Sequence, residues 1–303
     1  MKIISKWLFT LLLGLGLIIH AAGPVMASNE EEDVVDEKLG LPIVVYGETL
    51  SDAQKEEVRK LLQVKNPDNV EEIIVTADDL ARLIDGNPNS RMFSSAKITL
   101  QDKGKGLVIK RVTPENITEV TEEMYANAML TAGVENAIVE VASPVKVTGH
   151  SALVGIYKAY EARGEKLDKG RMEVANEELD IATELADKEG LNDEKVSELL
   201  TEIKKQIAEQ NPVTREEVEQ IVEEQLSKME IQLSPEDRQL LIDLFEKMRS
   251  LDIDFGNVKK QLEDISKDIK NKLEDVVGDE GFWDRVSNFF KNLFESIANI
   301  FRG

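Results

Sequence analysis

The sequence predicts a mixed N-terminal domain, α+β or α/β, over residues 40–164, then an all-helical region over 165–278 and a C-terminal amphipathic helix over 279–303. Three observations predict it. Short β-rich apolar runs alternate with helix-period stretches as far as Ala162, and that alternation argues a layered sheet-and-helix domain. Beyond about residue 165 the texture changes to charged, periodic helix punctuated by Gly190, Pro212 and Pro235. The end of the chain then gathers six of its aromatics, out of 9 Phe, 2 Trp and 4 Tyr, into one stretch.

Leu41–Tyr46 is a β-rich run closed by Gly47. Ser51 and Gln54 have the spacing of a capping box, and Val58, Leu61 and Leu62 fall on one face of the helix that follows. Ile73–Val75 reads as a second strand, and Asp78–Ile84 as a short helix stopped by Asp85-Gly86-Asn87-Pro88. Ala96–Leu100 and Leu107–Val112 flank Lys103-Gly104-Lys105-Gly106, which predicts a hairpin. Thr121–Ala132 opens on a capping threonine with Glu122 and Glu123 in its first turn, where the helix dipole favours acids, and Gly133 stops it. Ala137–Val141 is a strand and Ser151–Ala162 a helix. Tyr125, Leu130, Ile156 and Tyr160 recur at helical spacing between the strands and are expected in the core.

In the helical region Arg171–Lys188 ends at Gly190, and Asp193–Glu209 ends before Asn211-Pro212. Thr214 and Glu217 open the next helix as a capping box. Ser234-Pro235-Glu236-Asp237 places an N-cap, a proline at the first helical position and an acid in the first turn. Leu240, Leu241, Leu244, Phe245 and Met248 form its expected buried stripe, and a last helix covers Asn257–Val276. No fixed-period repeat and no sustained heptad occurs.

The first 27 residues have the order of a cleavable secretory signal. Lys2 and Lys6 precede the uncharged apolar run Trp7–Ile19, and Val25-Met26-Ala27 offers the small-residue pattern read by signal peptidase. A membrane-spanning helix needs roughly 20 apolar residues, which favours cleavage over anchoring. The expected product begins at Ser28 with an acidic leader over 28–39 and works outside the cytoplasm, extracellularly or at the cell envelope. Removing Lys2 and Lys6 with the signal deepens the net charge from −22 to −24. Such an excess of acid repels nucleic acid, which is not expected as a partner. With no cysteine the chain has no disulfide, thiol nucleophile, thiolate metal site or lipoprotein attachment point.

Candidate chemistry is sparse, and no catalytic residue, metal ligand or cofactor is assigned. His150 is the one histidine after the signal, so no two-histidine zinc site can form. Standing at a predicted helix start, it reads as a turn residue whose ring caps or is solvated, in preference to a general base. Asp252, Asp254 and Glu263 match positions 1, 3 and 12 of a calcium loop, but Gly256 and Asn257 occupy positions where a ligand and the turn glycine belong. Paired carboxylates about 5–10 Å apart could hydrolyse glycosides, yet with 59 acids pairs arise everywhere by chance.

The C-terminal segment is the strongest unusual feature. At helical spacing Phe282, Trp283, Phe289, Phe290, Leu293, Phe294, Ile297 and Phe301 fall, with Val286 and Ile300, within an arc of about 140°. Arg285, Lys291 and Arg302 outnumber Asp284 and Glu295 on the other face. Such a helix can pack on its own core, dock into an envelope protein or lie in a membrane interface. It is the expected contact segment.

Several strings resemble the YpuA-like family of uncharacterised exported proteins from Gram-positive spore-forming bacteria, a domain of unknown function. They are Glu122-Glu123-Met124-Tyr125 running on to Leu130-Thr131-Ala132-Gly133-Val134, Ser143-Pro144-Val145-Lys146-Val147-Thr148-Gly149, and the Ala152–Glu161 helix. Ala175–Leu179, Phe245–Met248 and Asp252–Gly256 continue the likeness. The resemblance implies an exported architecture and carries no assigned activity or functional residue. The expected function is therefore a non-enzymatic, envelope-associated binding or structural protein, with a carboxylate-dependent hydrolase of cell-wall polysaccharide as the alternative.

Overall fold

Residues 43–47 read Ile-Val-Val-Tyr-Gly, a run without charge that can sit between two apolar layers. In the computed structural model, which describes residues 39–188, 191–251 and 253–278, this strand, β1 (Ile43–Gly47), is buried at every position. The expected signal over 1–27, the acidic leader except its last residue, and the expected helix over 279–303 lie outside the described residues. β2 (Glu71–Val75), β3 (Ser95–Leu100), β4 (Leu107–Arg111) and β5 (Ala137–Ala142) complete a sheet in the order β2-β1-β3-β5-β4. β1 pairs parallel with β2 and β4 parallel with β5, while β3 runs antiparallel to both β1 and β5. All four parallel strands therefore end at one edge of the sheet, the edge where β3 begins.

The helices are α1 (Asp52–Leu61), α2 (Ala77–Ile84), α3 (Glu122–Ala132), α4 (Ser151–Ala162), α5 (Lys169–Ala186), α6 (Asp193–Gln210), α7 (Arg215–Lys228), α8 (Pro235–Ser250) and α9 (Lys259–Gly278). Val44 and Tyr46 face α1 with Val58 and Leu62, while Ile43 and Val45 point the other way into the larger core. That core runs from Ile43 through α3, α4, α5 and α6 to Leu262, crossing residue 164, where the texture of the sequence changes. α3 is buried along nearly its whole length because it lies between the sheet and the later helices. Tyr125, Leu130, Ile156 and Tyr160 all belong to this core, from 0 to 8 % exposed.

The predicted capping boxes form at Ser51 and Thr214, and Ser234 caps α8. Two expectations fail. The first is the hairpin: β3 and β4 do not pair, because β5 lies between them. Ala137, Val139 and Val141 of β5 are fully buried, whereas β4 alternates and leaves Val108 55 % exposed. The strand with the more apolar inner face takes the interior, and the mixed one is left at the edge. Asn136 holds the opened loop, its side-chain oxygen accepting from the Gly104 N–H at 2.7 Å and the Gly106 N–H at 3.2 Å. The second concerns Leu240, which is 39 % exposed while Leu241, Leu244, Phe245 and Met248 are buried. The α8 stripe is narrower than the composition suggested.

Candidate functional site

Two polar clusters stand out, one inside the core and one at the sheet edge. Inside, Asn127 and Thr131 come from α3, Glu178 from α5, and Thr201 and Lys204 from α6. The Lys204 Nζ lies 2.5 Å from a Glu178 carboxylate oxygen and donates to the Asn127 carbonyl at 2.8 Å. Thr131 donates to the other Glu178 oxygen at 2.6 Å, and the Asn127 amide donates to Thr201 Oγ1 at 2.9 Å. The ammonium also stands 5.7 Å from the centre of the Phe255 ring. Burial pushes the Lys204 ammonium below the ordinary lysine range, against the pull of Glu178 in the other direction. Lys204 is 0 % exposed and Glu178 1 %, so no ligand reaches the pair. The cluster pins three helices together.

The second cluster lies where β3 begins and β5 ends. Thr49 Oγ1 accepts from the Met92 N–H at 2.9 Å, tying the segment before β3 to the loop after β1. The segment after β5 is zipped to residues 116–120: Val147 N–H donates to the Asn116 carbonyl at 2.8 Å, and Thr118 N–H to the Val147 carbonyl at 2.9 Å. Gly149 then turns with φ +115, and the buried Tyr125 hydroxyl donates to its carbonyl at 2.7 Å. A Cβ at this position would lie 2.8 Å from that hydroxyl oxygen, so the turn requires glycine on both counts. His150 follows at the N-cap of α4.

Between the two segments opens a cleft of about 320 Å³, lined by Arg91, Phe93, Lys146, Thr148, His150 and Ser151 among others. Its three titratable lining residues are all basic, in a chain of net charge −22. The Arg91 guanidinium stands 5.3 Å from the centre of the Phe93 ring. Among the described residues neither Arg91 nor Lys146 has an acidic partner. The His150 ring does not cap the helix, contrary to one of its expected roles. Its Nδ1 is 3.1 Å from Thr148 Oγ1, and its Nε2 is 3.3 Å from both the Asp180 carboxylate and Thr183 Oγ1. With Nε2 shared between two partners, no single group holds the ring for proton abstraction. The position is one that open α/β sheets favour for ligands, outside the carboxyl ends of parallel strands.

Two other cavities bear on the hydrolase alternative. One of about 300 Å³ is lined by Tyr157, Glu161 and Glu165 with Arg82 and Lys169, but Glu161 is committed to Arg82 through two hydrogen bonds of 2.7 Å. A groove of about 430 Å³ beside β4 contains Glu122, Glu123 and Asp268, with no aromatic wall. There Glu122 accepts from the Arg111 N–H at 2.8 Å, and Gln261 accepts from the Leu107 N–H at 3.0 Å, so side chains occupy part of the strand edge. Among the described residues no three His, Cys, Asp or Glu side chains group to hold a metal ion, and no helix is long and apolar enough to cross a membrane.

Residues 46–265 match the profile of a family described as a protein of unknown function (DUF1002). The chain belongs to this family. It is also 34 % identical over 291 residues to the uncharacterized protein YpuA of Bacillus subtilis (strain 168), covering 93 % of this chain and 97 % of that one. No solved structure matches it.

The DUF1002 span contains both the buried cluster and the cleft. It does not contain the aromatic residues Phe282, Trp283, Phe289, Phe290, Leu293, Phe294, Ile297 and Phe301, which lie outside the described residues. Of the calcium-loop candidates, Asp252 also lies outside them. Asp254 closes its own turn by accepting from the Gly256 N–H at 2.8 Å, and Glu263 is exposed on α9. Arg91, Lys146 and Asp180 escaped the sequence reading. Lys146 sits in the Ser143–Gly149 string that carries the family likeness, and that string was the available signal. Nothing in the sequence brings Arg91 to it.

Proposed function

We propose that this DUF1002 protein is exported and acts at the cell envelope by binding, without covalent chemistry, through the cleft at the sheet edge. The observation that carries the reading is a cleft whose titratable lining is wholly basic, with Arg91 and Lys146 unclaimed by acids among the described residues. Export is supported by Lys2, Lys6, the run Trp7–Ile19 and Val25-Met26-Ala27. The aromatic stripe from Phe282 to Phe301 supports attachment of the C-terminal segment to a membrane interface or an envelope protein. The alternative of a carboxylate-dependent hydrolase gains nothing from cavities in which Glu161 and Glu122 are already engaged.

The test follows the secreted chain. N-terminal sequencing is expected to find Ser28, and retention of Met1 in the membrane fraction overturns cleavage. The mature chain is expected to sediment with isolated envelopes. An Arg91→Ala, Lys146→Ala double variant should weaken that sedimentation with unchanged thermal stability. Deleting residues 279–303 should release a folded protein to the medium. If the truncated chain unfolds, attachment through that segment fails; if the double variant sediments as well as the parent, binding through the cleft fails.

A further inference from the structure

We infer that the cleft is a receptor for a phosphoryl group. This rests on the binding role proposed above and names the chemistry of the ligand. The cations come from separate parts of the chain: Arg91 precedes β3, whereas Lys146 and His150 follow β5. Several cations elsewhere in this acidic protein are answered by acids, as Arg59 is by Glu72, Lys97 by Glu140, Lys158 by Asp79 and Lys247 by Glu177. Arg91 and Lys146 are held across one opening without such partners among the described residues, and the nearby carboxylate of Asp180 meets His150 without lining the cleft.

The neutral lining also suits an oxyanion. Ser90, Thr148 and Ser151 bring hydroxyls that can donate. The backbone N–H groups of Thr148, Gly149, His150 and Ser151 have no acceptor among the described residues, at the positive end of the 12-residue helix α4. A helix end alone would not define a site; here Arg91 lines the same cavity from the segment before β3, and Lys146 lines it from the helix's own approach. Two positive charges and a helix end match a doubly charged phosphate monoester better than a carboxylate, which carries one charge and two oxygens. A volume of about 320 Å³ admits the phosphoryl group with a small portion of the molecule that bears it. The same chemistry could come from a soluble phosphate ester or from a lipid headgroup.

The experiment is calorimetric titration of the mature full chain with inorganic phosphate and with glycerol 3-phosphate, using glycerol as the neutral control. Saturable binding of both phosphates, none of glycerol, and weakening by tenfold or more in the Arg91→Ala, Lys146→Ala variant are expected. No saturable binding of either phosphate, or equal binding by the variant, overturns the inference. Vesicles containing phosphatidic acid, whose headgroup is a phosphate monoester, and vesicles of phosphatidylcholine alone separate the sources. Cleft-dependent binding to phosphatidic acid vesicles that survives deletion of residues 279–303 identifies a headgroup, and phosphate binding without vesicle binding identifies a soluble ester. If envelope binding depends on the cleft while both phosphates fail, the phosphoryl assignment falls and the binding role stands. If the phosphates bind but envelope sedimentation ignores the cleft, the envelope role falls and the assignment stands.

Discussion

Lys204 and Arg91 are both cations in a strongly acidic chain, yet their surroundings are opposites. Lys204 is enclosed by Glu178, the Asn127 carbonyl and the Phe255 ring, with every oxygen of Glu178 also bonded. Arg91 and Lys146 stand at the surface around a cavity, without an acid among the described residues. A buried charge must be neutralised and hydrogen-bonded within the fold, because no water is there to do it. A charge at an open cleft can be left to solvent until something else meets it. The difference separates polar groups that hold the helices together from polar groups available to a ligand.

The largest expected effect breaks the closed side of this comparison. Lys204→Ala leaves Glu178 buried and unpaired and should cost about 3–5 kcal/mol in chemical denaturation. A loss below about 1 kcal/mol would show that water reaches the cluster and would remove the contrast.

Asp79 is an intermediate case, 8 % exposed, at the N-terminus of α2. Burial pushes its carboxyl up, but Lys158, the Thr76 N–H and Arg82 together outweigh that and hold it at about 2, against an ordinary 3.8. A depressed folded-state value means the ionised form contributes stability above about pH 4, lost as the pH falls towards 2. Wild-type protein should therefore lose about 2 kcal/mol more than Asp79→Asn over that window, measured by urea unfolding at each pH. Parallel pH profiles would place Asp79 with the solvated surface charges.

Tyr125→Phe should cost about 1–2 kcal/mol, because the Gly149 carbonyl loses the buried hydroxyl that supports the cleft from α3. It should also weaken phosphate binding, since the turn carrying His150 is pinned there. A stability loss with unaltered binding would separate the cleft from the core beneath it.

The smallest effect belongs to the open side. Arg91→Ala with Lys146→Ala should change stability by less than about 0.5 kcal/mol, as exposed cations with no acidic partner among the described residues contribute little. A larger loss by thermal denaturation would mean that these side chains hold the fold, and the comparison would fail from the other end.

Much of the local structure was legible. Ser51 with Gln54, Thr214 with Glu217, and Ser234 with Pro235 and Asp237 announced three helix starts, because a cap and the N–H it serves lie three residues apart. Tyr125, Leu130, Ile156 and Tyr160 could be placed in the core from spacing alone. The hairpin could not be corrected from its own residues: Ala96–Leu100 and Leu107–Val112 look suited to each other until β5 competes for the same backbone edges. Of the cleft, His150 and the Gly149 turn were visible as a helix start, but the ring's contact with Asp180 and Thr183 was not.

The sequence by itself determined where most elements begin and end, and which stretches are apolar enough to be buried. Caps, turns and period are interactions among residues a few positions apart, so they survive without knowledge of the fold. Tertiary structure alone decided that β5 opens the expected hairpin, that Lys204 meets Glu178, and that Arg91 and Lys146 line one cavity. Those outcomes depend on which distant segment displaces water most effectively from a shared surface, and that competition is settled only when the layers pack.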